Sequence, residues 1–341
     1  PGFWPDEGEN RFPAYAALPS RMPAGDTADT ALPDSGYYLM RTDWTRRADA
    51  LTIAAGAFGT PITSHDHTHV FPLEFFARGE PLLVDNCSGH YGDNPARRWR
   101  VGSSAHNVVT VDGEDHIPIL SEWRWAHPVM PEVLEWRSTP QYAIFQGAHE
   151  GYLRLPNPVS SSKRTVFWVR GRYAIVIDRF TAPGDTGHQY TAHFHLRGNV
   201  RQESERSIVT MGDRAGLALY SVPGTGGAFS IEPCPYPLDG YDNPVHAFHG
   251  ISKAGNTVLV TLLVPFESAA PRIAVSPIDV VADGRTLSPF EATGLEIVID
   301  GTREVYVQQH MHWTLPWRAG GVAGAGRFFH SGVCPAYGAE V

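Results

Sequence analysis

A chain of 341 residues can bury a sizeable core, as one large domain or two smaller ones, and its composition narrows what that core supports. A formal charge of -9, a pI near 6.0 and no Lys/Arg run argue against a nucleic-acid partner, so an anionic substrate would need a local basic pocket. Three scattered cysteines, Cys87, Cys234 and Cys334, are too few for a disulfide framework or a Cys-type zinc site, and no apolar run is long enough to span a bilayer.

Residues 1–35 are rich in Pro, Gly, Ala and Asp without a sustained period and read as a linker or wrapping segment. The chain opens at Pro1 without a methionine or signal peptide, which points to a start that has been processed or excised. Strand-like sequence begins at GYYLMRTDWT (36–45) and continues in ALTIAAGA (50–57). In SHDHTHVF, His65, His67 and His69 alternate with Asp66 and Thr68, the period of a strand that puts three imidazoles on one face. Glu80-Pro81 reads as a turn, Leu82 to Val84 as a buried strand, and Asp85 closes that strand. Residues 86–104 carry Gly, Asn, Pro and three arginines and read as a long exposed loop containing Tyr91, Arg97, Arg98 and Arg100. AHNVVTV (105–111) reads as a strand ended by the turn signal Asp112-Gly113.

From Tyr142 to Gln308 short apolar runs alternate with turns, and hardly an amphipathic helix interrupts them. The 34 glycines and 28 prolines fit the same picture of many strands and many turns. The fold class is therefore all-β, a large antiparallel sandwich of many short strands spanning 36–341, with slight signs of a sub-boundary near 269–283. Nine tryptophans could stack on sugar rings, but core packing is the first reading for most of them, Trp123 and Trp125 included. His193 and His195 repeat the HxH spacing without an evident carboxylate and read as structural.

HxHxH spacing on one strand suits a metal site, and the competing reading is a polar sheet face of hydrogen-bonded histidines. Asp85 tips the balance toward metal, because an unpaired carboxylate at the end of a buried strand would be costly. With His106 from the next strand, two imidazoles and a carboxylate would suit zinc.

The order HDHTH, PLLVD, a Tyr-containing turn and SSAHNVVTVDG resembles the C-terminal β-sandwich of heparinase II/III-like polysaccharide lyases, oligoalginate lyases among them. RGRYAIVIDRF and GHQYTAHFHL are compatible with later strands of that family, and the likeness covers roughly residues 36–265. The resemblance implies one structural zinc held by His67, Asp85 and His106, with His65 in or beside the cleft. His69 departs from the family's usual Asp or Glu, which leaves its role open.

The implied reaction is β-elimination on a uronic-acid glycan. It needs the C6 carboxylate neutralised, a base for the C5 proton and an acid for the leaving O4. His65 is a candidate to neutralise the carboxylate or act as base and Tyr91 to serve as acid or base, while Arg97, Arg98, Arg100 and Asn107 are candidates for substrate binding, Asn107 with backbone or loop hydrogen bonding as its competing reading. The family's α/α toroid, which precedes the sandwich and forms the other cleft wall, has no counterpart in this chain, so a helical domain, as a separate chain or removed, is an expected partner. Acidic polysaccharide or oligosaccharide is the expected ligand, a homodimer is compatible with the sequence, and a periplasmic or secreted location is favoured. The competing class is a non-catalytic carbohydrate-binding or structural sandwich that zinc merely staples.

Overall fold

A computed structural model describes residues 27–57, 66–86, 92, 94–121, 124–184, 186–238 and 244–334. His65, Tyr91, Cys87 and Trp123 lie outside these residues. Among the described residues the architecture is antiparallel sheets stacked in layers, as the sequence predicts, with no α/α toroid.

The front sheet has nine strands. It runs from β1 (Thr30–Leu32) through β2 (Tyr37–Arg41), β3 (Ala50–Ala54), β4 (Leu73–Ala77) and β5 (Glu80–Leu83) to the long strands Gly187–Leu196 and Val245–Ala254 and the edge strand Phe229–Pro233. A short strand, β6 (Val109–Val111), also pairs with Gly187–Leu196. Thr30–Leu32, within the stretch expected to be a linker, is thus an edge strand bonded to β2. The turn expected at Glu80-Pro81 falls two residues earlier, at Arg78 and Gly79, whose φ values of 50° and 77° reverse the chain and leave Glu80 and Pro81 inside β5.

Behind it lies an eight-stranded sheet whose centre is Thr257–Phe266, Tyr173–Thr181 and Ser161–Val169. Period two explains the unbroken apolar runs RTVFWV and YAIVI. Val166, Trp168, Ala174 and Val176 face the front sheet, while Phe167, Val169, Tyr173, Ile175 and Ile177 face a third, four-stranded sheet on the other side. A strand covered on both faces has no need of alternating polar residues. The third sheet is built from residues 273–330, its first strand, Ile273–Pro277, falling within the 269–283 stretch where the sequence showed slight signs of a boundary, and its apolar face packs against the back sheet.

Among the described residues no helix is long and apolar enough to cross a membrane, and Cys234 and Cys334 are free thiols.

Candidate metal centre

Three imidazoles meet on the front sheet. His67, His69 and His106 each offer a ring nitrogen within 4.8 Å of the others, the one such group of potential metal ligands among the described residues. His106 is fully buried and the other two are half-buried. His67 Nδ1 stands 3.1 Å from His106 Nε2, and the rings of His69 and His106 are 4.1 Å apart between centroids.

The segment that delivers His67 and His69 is not the strand its period suggests. β4 starts only at Leu73. Residues 66–72 are irregular because their polar groups bond elsewhere than a ladder: Thr68 N and Oγ1 donate to Val101 O at 2.7 and 3.1 Å. Ser103 Oγ donates to Thr68 O and accepts from His116 N, tying the segment to the chain on either side of His106. His116 continues the tie, accepting from Val70 N through Nδ1 at 3.0 Å and donating from Nε2 to Val109 O at 2.9 Å. Thr68 therefore points inward while its two histidine neighbours point to the site.

Phe71 ends the segment in a left-handed conformation, φ 58°, an unusual state for a bulky residue. Two contacts hold it there. Its ring fills the space where a Cβ on Gly147 would lie, and its carbonyl accepts from Arg164 Nη1 at 2.8 Å. The same Nη1 bonds Asn107 O at 2.7 Å, while Arg164 Nε and Nη2 grip the Asp178 carboxylate at 2.7 and 2.9 Å. One buried ion pair of the back sheet thus holds both the His67/His69 segment and the residue after His106.

His106 also departs from its expected strand. It follows a single 3-10 turn, Ser103–Ala105, in extended conformation, and β6 begins three residues later. Its Nδ1 lies 2.7 Å from Asp85 Oδ1, two residues beyond β5, which leaves Nε2 facing His67. Asp85 thus reaches the site through the far nitrogen of His106. Burial pushes the Asp85 carboxyl above its usual range and drives the imidazoles of His67 and His106 down to about 3, so both rings are neutral at pH 7 with lone pairs to offer. Desolvation also holds His69 well below 6.5, and its Nδ1 is buried without a hydrogen-bond partner.

The residues expected to bind substrate are placed differently from that expectation. Asn107 is buried, and its amide is fully committed: Nδ2 donates to Leu73 O and Val84 O at 2.6 and 2.8 Å, and Oδ1 accepts from His195 N at 2.7 Å. It pins three strands and has no donor left for a sugar. The expected loop 86–104 contains a helix, α1 (Pro95–Val101), with Asn94 as N-cap bonding Arg97 N at 2.9 Å and Pro95 at its first position. Helical spacing separates the arginines: Arg97 and Arg100, three apart, are buried on one face, and Arg98 is exposed on another. Arg97 lies close enough to His67 to help depress its pKa, and Arg100 Nη2 donates to Pro237 O at 2.8 Å. The three do not form one solvated basic patch.

The sequence reading undervalued His69 and passed over His116 and the Arg164–Asp178 pair. Only the signal for His69, the third histidine of the repeat, was plain in the sequence.

Comparison with known proteins decides the family. The family described as "Heparinase II/III-like, C-terminal" matches residues 24–286, most of the chain. The chain belongs to the heparinase II/III-like family. Among solved structures, heparan sulfate lyase HepC from Pedobacter heparinus superposes with TM-score 0.66 at 17% identity, covering 83% of this chain and 43% of that one. The heparinase III BT4657 gene product gives 0.65 at 17% identity, covering 84% and 42%, and another heparinase III gives 0.64 at 15%, covering 81% and 42%. At these identities the likeness establishes the shared fold, and this heparinase II/III-like chain spans less than half the length of the lyases it superposes on. No curated protein matches the sequence.

Proposed function

We propose that the chain is the C-terminal β-sandwich part of a polysaccharide lyase that cleaves uronic-acid-containing glycans by β-elimination, with a structural zinc binding His67, His69 and His106. The observation that carries this reading is the family match over residues 24–286, with the three-imidazole group set on the sheet that the family's sandwich supplies.

The donor set fits zinc. Two nitrogens each about 2.0–2.1 Å from a tetrahedral ion lie roughly 3.3 Å apart, close to the 3.1 Å between His67 Nδ1 and His106 Nε2. Two neutral imidazoles facing each other at that distance need a shared proton or a cation, and the unpartnered Nδ1 of His69 adds a third buried donor. Asp85, which the resemblance makes a ligand, acts in this reading through His106 Nδ1, fixing its tautomer and orientation. When bound, zinc would cross-link the segment before β4 to the one before β6.

In β-elimination a base takes the C5 proton, the electron pair forms the C4=C5 double bond, and O4 leaves with a proton. His65 and Tyr91 are the proposed base and acid, and Arg98, the solvent-exposed member of the arginine group, is the proposed contact to an anionic substrate. A helical domain would supply the opposite wall.

The test is whether the complete gene product releases unsaturated uronate, read as ultraviolet absorbance, from a panel of heparan-type, alginate and related glycans. Absence of product across that panel would sink the lyase reading. A non-catalytic sandwich would instead bind glycan equally well after His65→Ala and Tyr91→Phe. One zinc per chain by elemental analysis, lost in His106→Ala, is the expected metal result.

A further inference from the structure

Helical spacing leaves one large side chain of α1 outside the work of anchoring that helix. Arg97, Arg100 and Val101 form its buried stripe, and Trp99, at about 100° per residue, lies off that stripe and stays half-buried. The indole is nonetheless fixed in place. It meets the ring of His195 edge-on, 6.2 Å between centroids at 69°, and that of Tyr236 at 5.9 Å and 50°. His195 is fully buried, and its backbone N donates to Asn107 Oδ1, one residue from the proposed metal ligand His106. Arg100 Nη2, donating to Pro237 O, ties α1 to the segment that carries Tyr236. Among the described residues neither the Trp99 indole N–H nor the Tyr236 hydroxyl makes a hydrogen bond, so a half-buried aromatic surface with two unused polar groups stands beside the metal centre.

A cavity of about 380 Å³ opens along the indole, toward the lower end of the about 300–1,000 Å³ range of small-molecule sites. Gly102 and Ser104, on the turn that leads into His106, line it together with Arg98, Glu114 and Asp115. Its charges are already spoken for. Glu114 pairs with Arg154 at 3.3 Å, Asp115 Oδ1 accepts from Ser103 N at 2.6 Å, and Arg98 is the proposed contact for a uronate. With Arg98 so engaged, the described lining keeps two carboxylates and no cation for a second anion. An aromatic face, an indole N–H and carboxylate oxygens with acceptor capacity to spare suit a ring that has an apolar face and hydroxyl groups. An uncharged sugar ring has both.

We infer that Trp99 and this cavity form a subsite for an uncharged sugar ring next to the uronate that is cleaved, the ring stacked on the indole and its hydroxyls bonded to Glu114 and Asp115. The inference rests on the lyase reading above for its ligand and goes beyond it in assigning the place and the charge of the neighbouring ring. Trp99 is a positioning residue in this role: it holds the glycan in register with the metal centre and takes no part in proton transfer.

The experiment is saturation-transfer NMR of the 341-residue chain with two tetrasaccharides, one of unsulfated glucuronate alternating with N-acetylglucosamine and one of uronate alone from alginate. With the first, saturation is expected on the N-acetylglucosamine ring more than on its uronate neighbours. Weaker binding is expected with the second, because a carboxylate would then face carboxylates. Trp99→Ala is expected to weaken binding of the first roughly fivefold, about the worth of one aromatic ring contact, with zinc content unchanged, and Trp99→Phe, which keeps a ring, is expected to retain it. If Trp99→Ala also lowers the melting temperature, Trp99→Phe must restore binding, and failure to do so overturns the subsite. Unchanged binding in Trp99→Ala, equal affinity for the two tetrasaccharides, or no transfer to N-acetylglucosamine in the parent chain also overturns it. Those outcomes leave the lyase reading untouched, whereas absence of unsaturated product from the complete protein sinks that reading and leaves Trp99-dependent binding standing.

Discussion

At the scale of single residues, the front site turns on which atom faces which. His106 has two nitrogens and they are divided: Nδ1 is turned to Asp85 at 2.7 Å and Nε2 to His67 at 3.1 Å. A carboxylate behind an imidazole makes that ring a better and better-aimed ligand, and removing it costs about 10–100-fold in metal affinity. Asp85→Asn is therefore expected to weaken zinc binding by about that factor, while His69→Ala, which removes a donor, weakens it more. Competition against a chromogenic chelator measures both. Complete loss of metal in Asp85→Asn with His69→Ala unaffected would return Asp85 to the ligand set. The sequence showed the histidines and the carboxylate, because their spacing needs only a local period. It could not show the division of His106, since that depends on where Asp85 arrives from another strand. The partners of Asn107 were hidden for a similar reason: its four hydrogen-bonding capacities go to Leu73, Val84 and His195, 23 to 88 residues away.

At the scale of elements, the alternation in HDHTHV promised a strand and the chain made an irregular approach to one. Period two sets which side chains share a face, and His67 and His69 do share one. It does not say where the backbone bonds go, and those of Thr68 go to Val101. The helix α1 was legible in principle, since Asn94 and Pro95 are an ordinary start signal, but the glycine- and arginine-rich surroundings read more strongly as loop. The φ of Phe71 was not legible at all, because it needs a notch on a strand some 76 positions later in the chain, at Gly147. A Cβ at Gly147 would stand 2.4 Å from Phe71 Cζ, so the ring or the strand must move. Gly147→Ala is expected to destabilise the fold by about 1–3 kcal/mol through overpacking, and to weaken metal binding because Phe71 ends the segment that carries His67 and His69. Thermal melting with and without zinc checks it. An unchanged melting temperature and unchanged affinity would show that Phe71 does not anchor the segment.

At the scale of the whole molecule, layering explains both which apolar runs were legible and how the fold responds to acid. Runs such as YAIVI are apolar at every position because both faces of the back sheet are covered, and that much could be read directly. The same covering buries histidines outside the metal group. Burial drives His193, His249 and His310 down to about 3, from an ordinary value near 6.5. Other charges facing these groups act in the same direction: His246, His116 and a second effect of His249 on His193, Arg206 on His249, and Arg179, Arg327 and Lys163 on His310. A histidine with a depressed folded pKa binds fewer protons folded than unfolded, so its contribution is whole above pH 6.5 and is lost as the pH falls toward 3. Each such group costs on the order of 1–2 kcal/mol by pH 5. The buried carboxyls Asp49, Glu74 and Asp115, held above their usual range by burial, work the other way: each gains on acidification from its raised folded pKa downward and offsets part of the loss from the histidines. The melting temperature, measured with a chelator present so that metal release does not enter, is therefore expected to fall steadily from pH 7 to pH 5. A flat profile over that range would mean that these imidazoles are protonated, or solvated, in the folded protein.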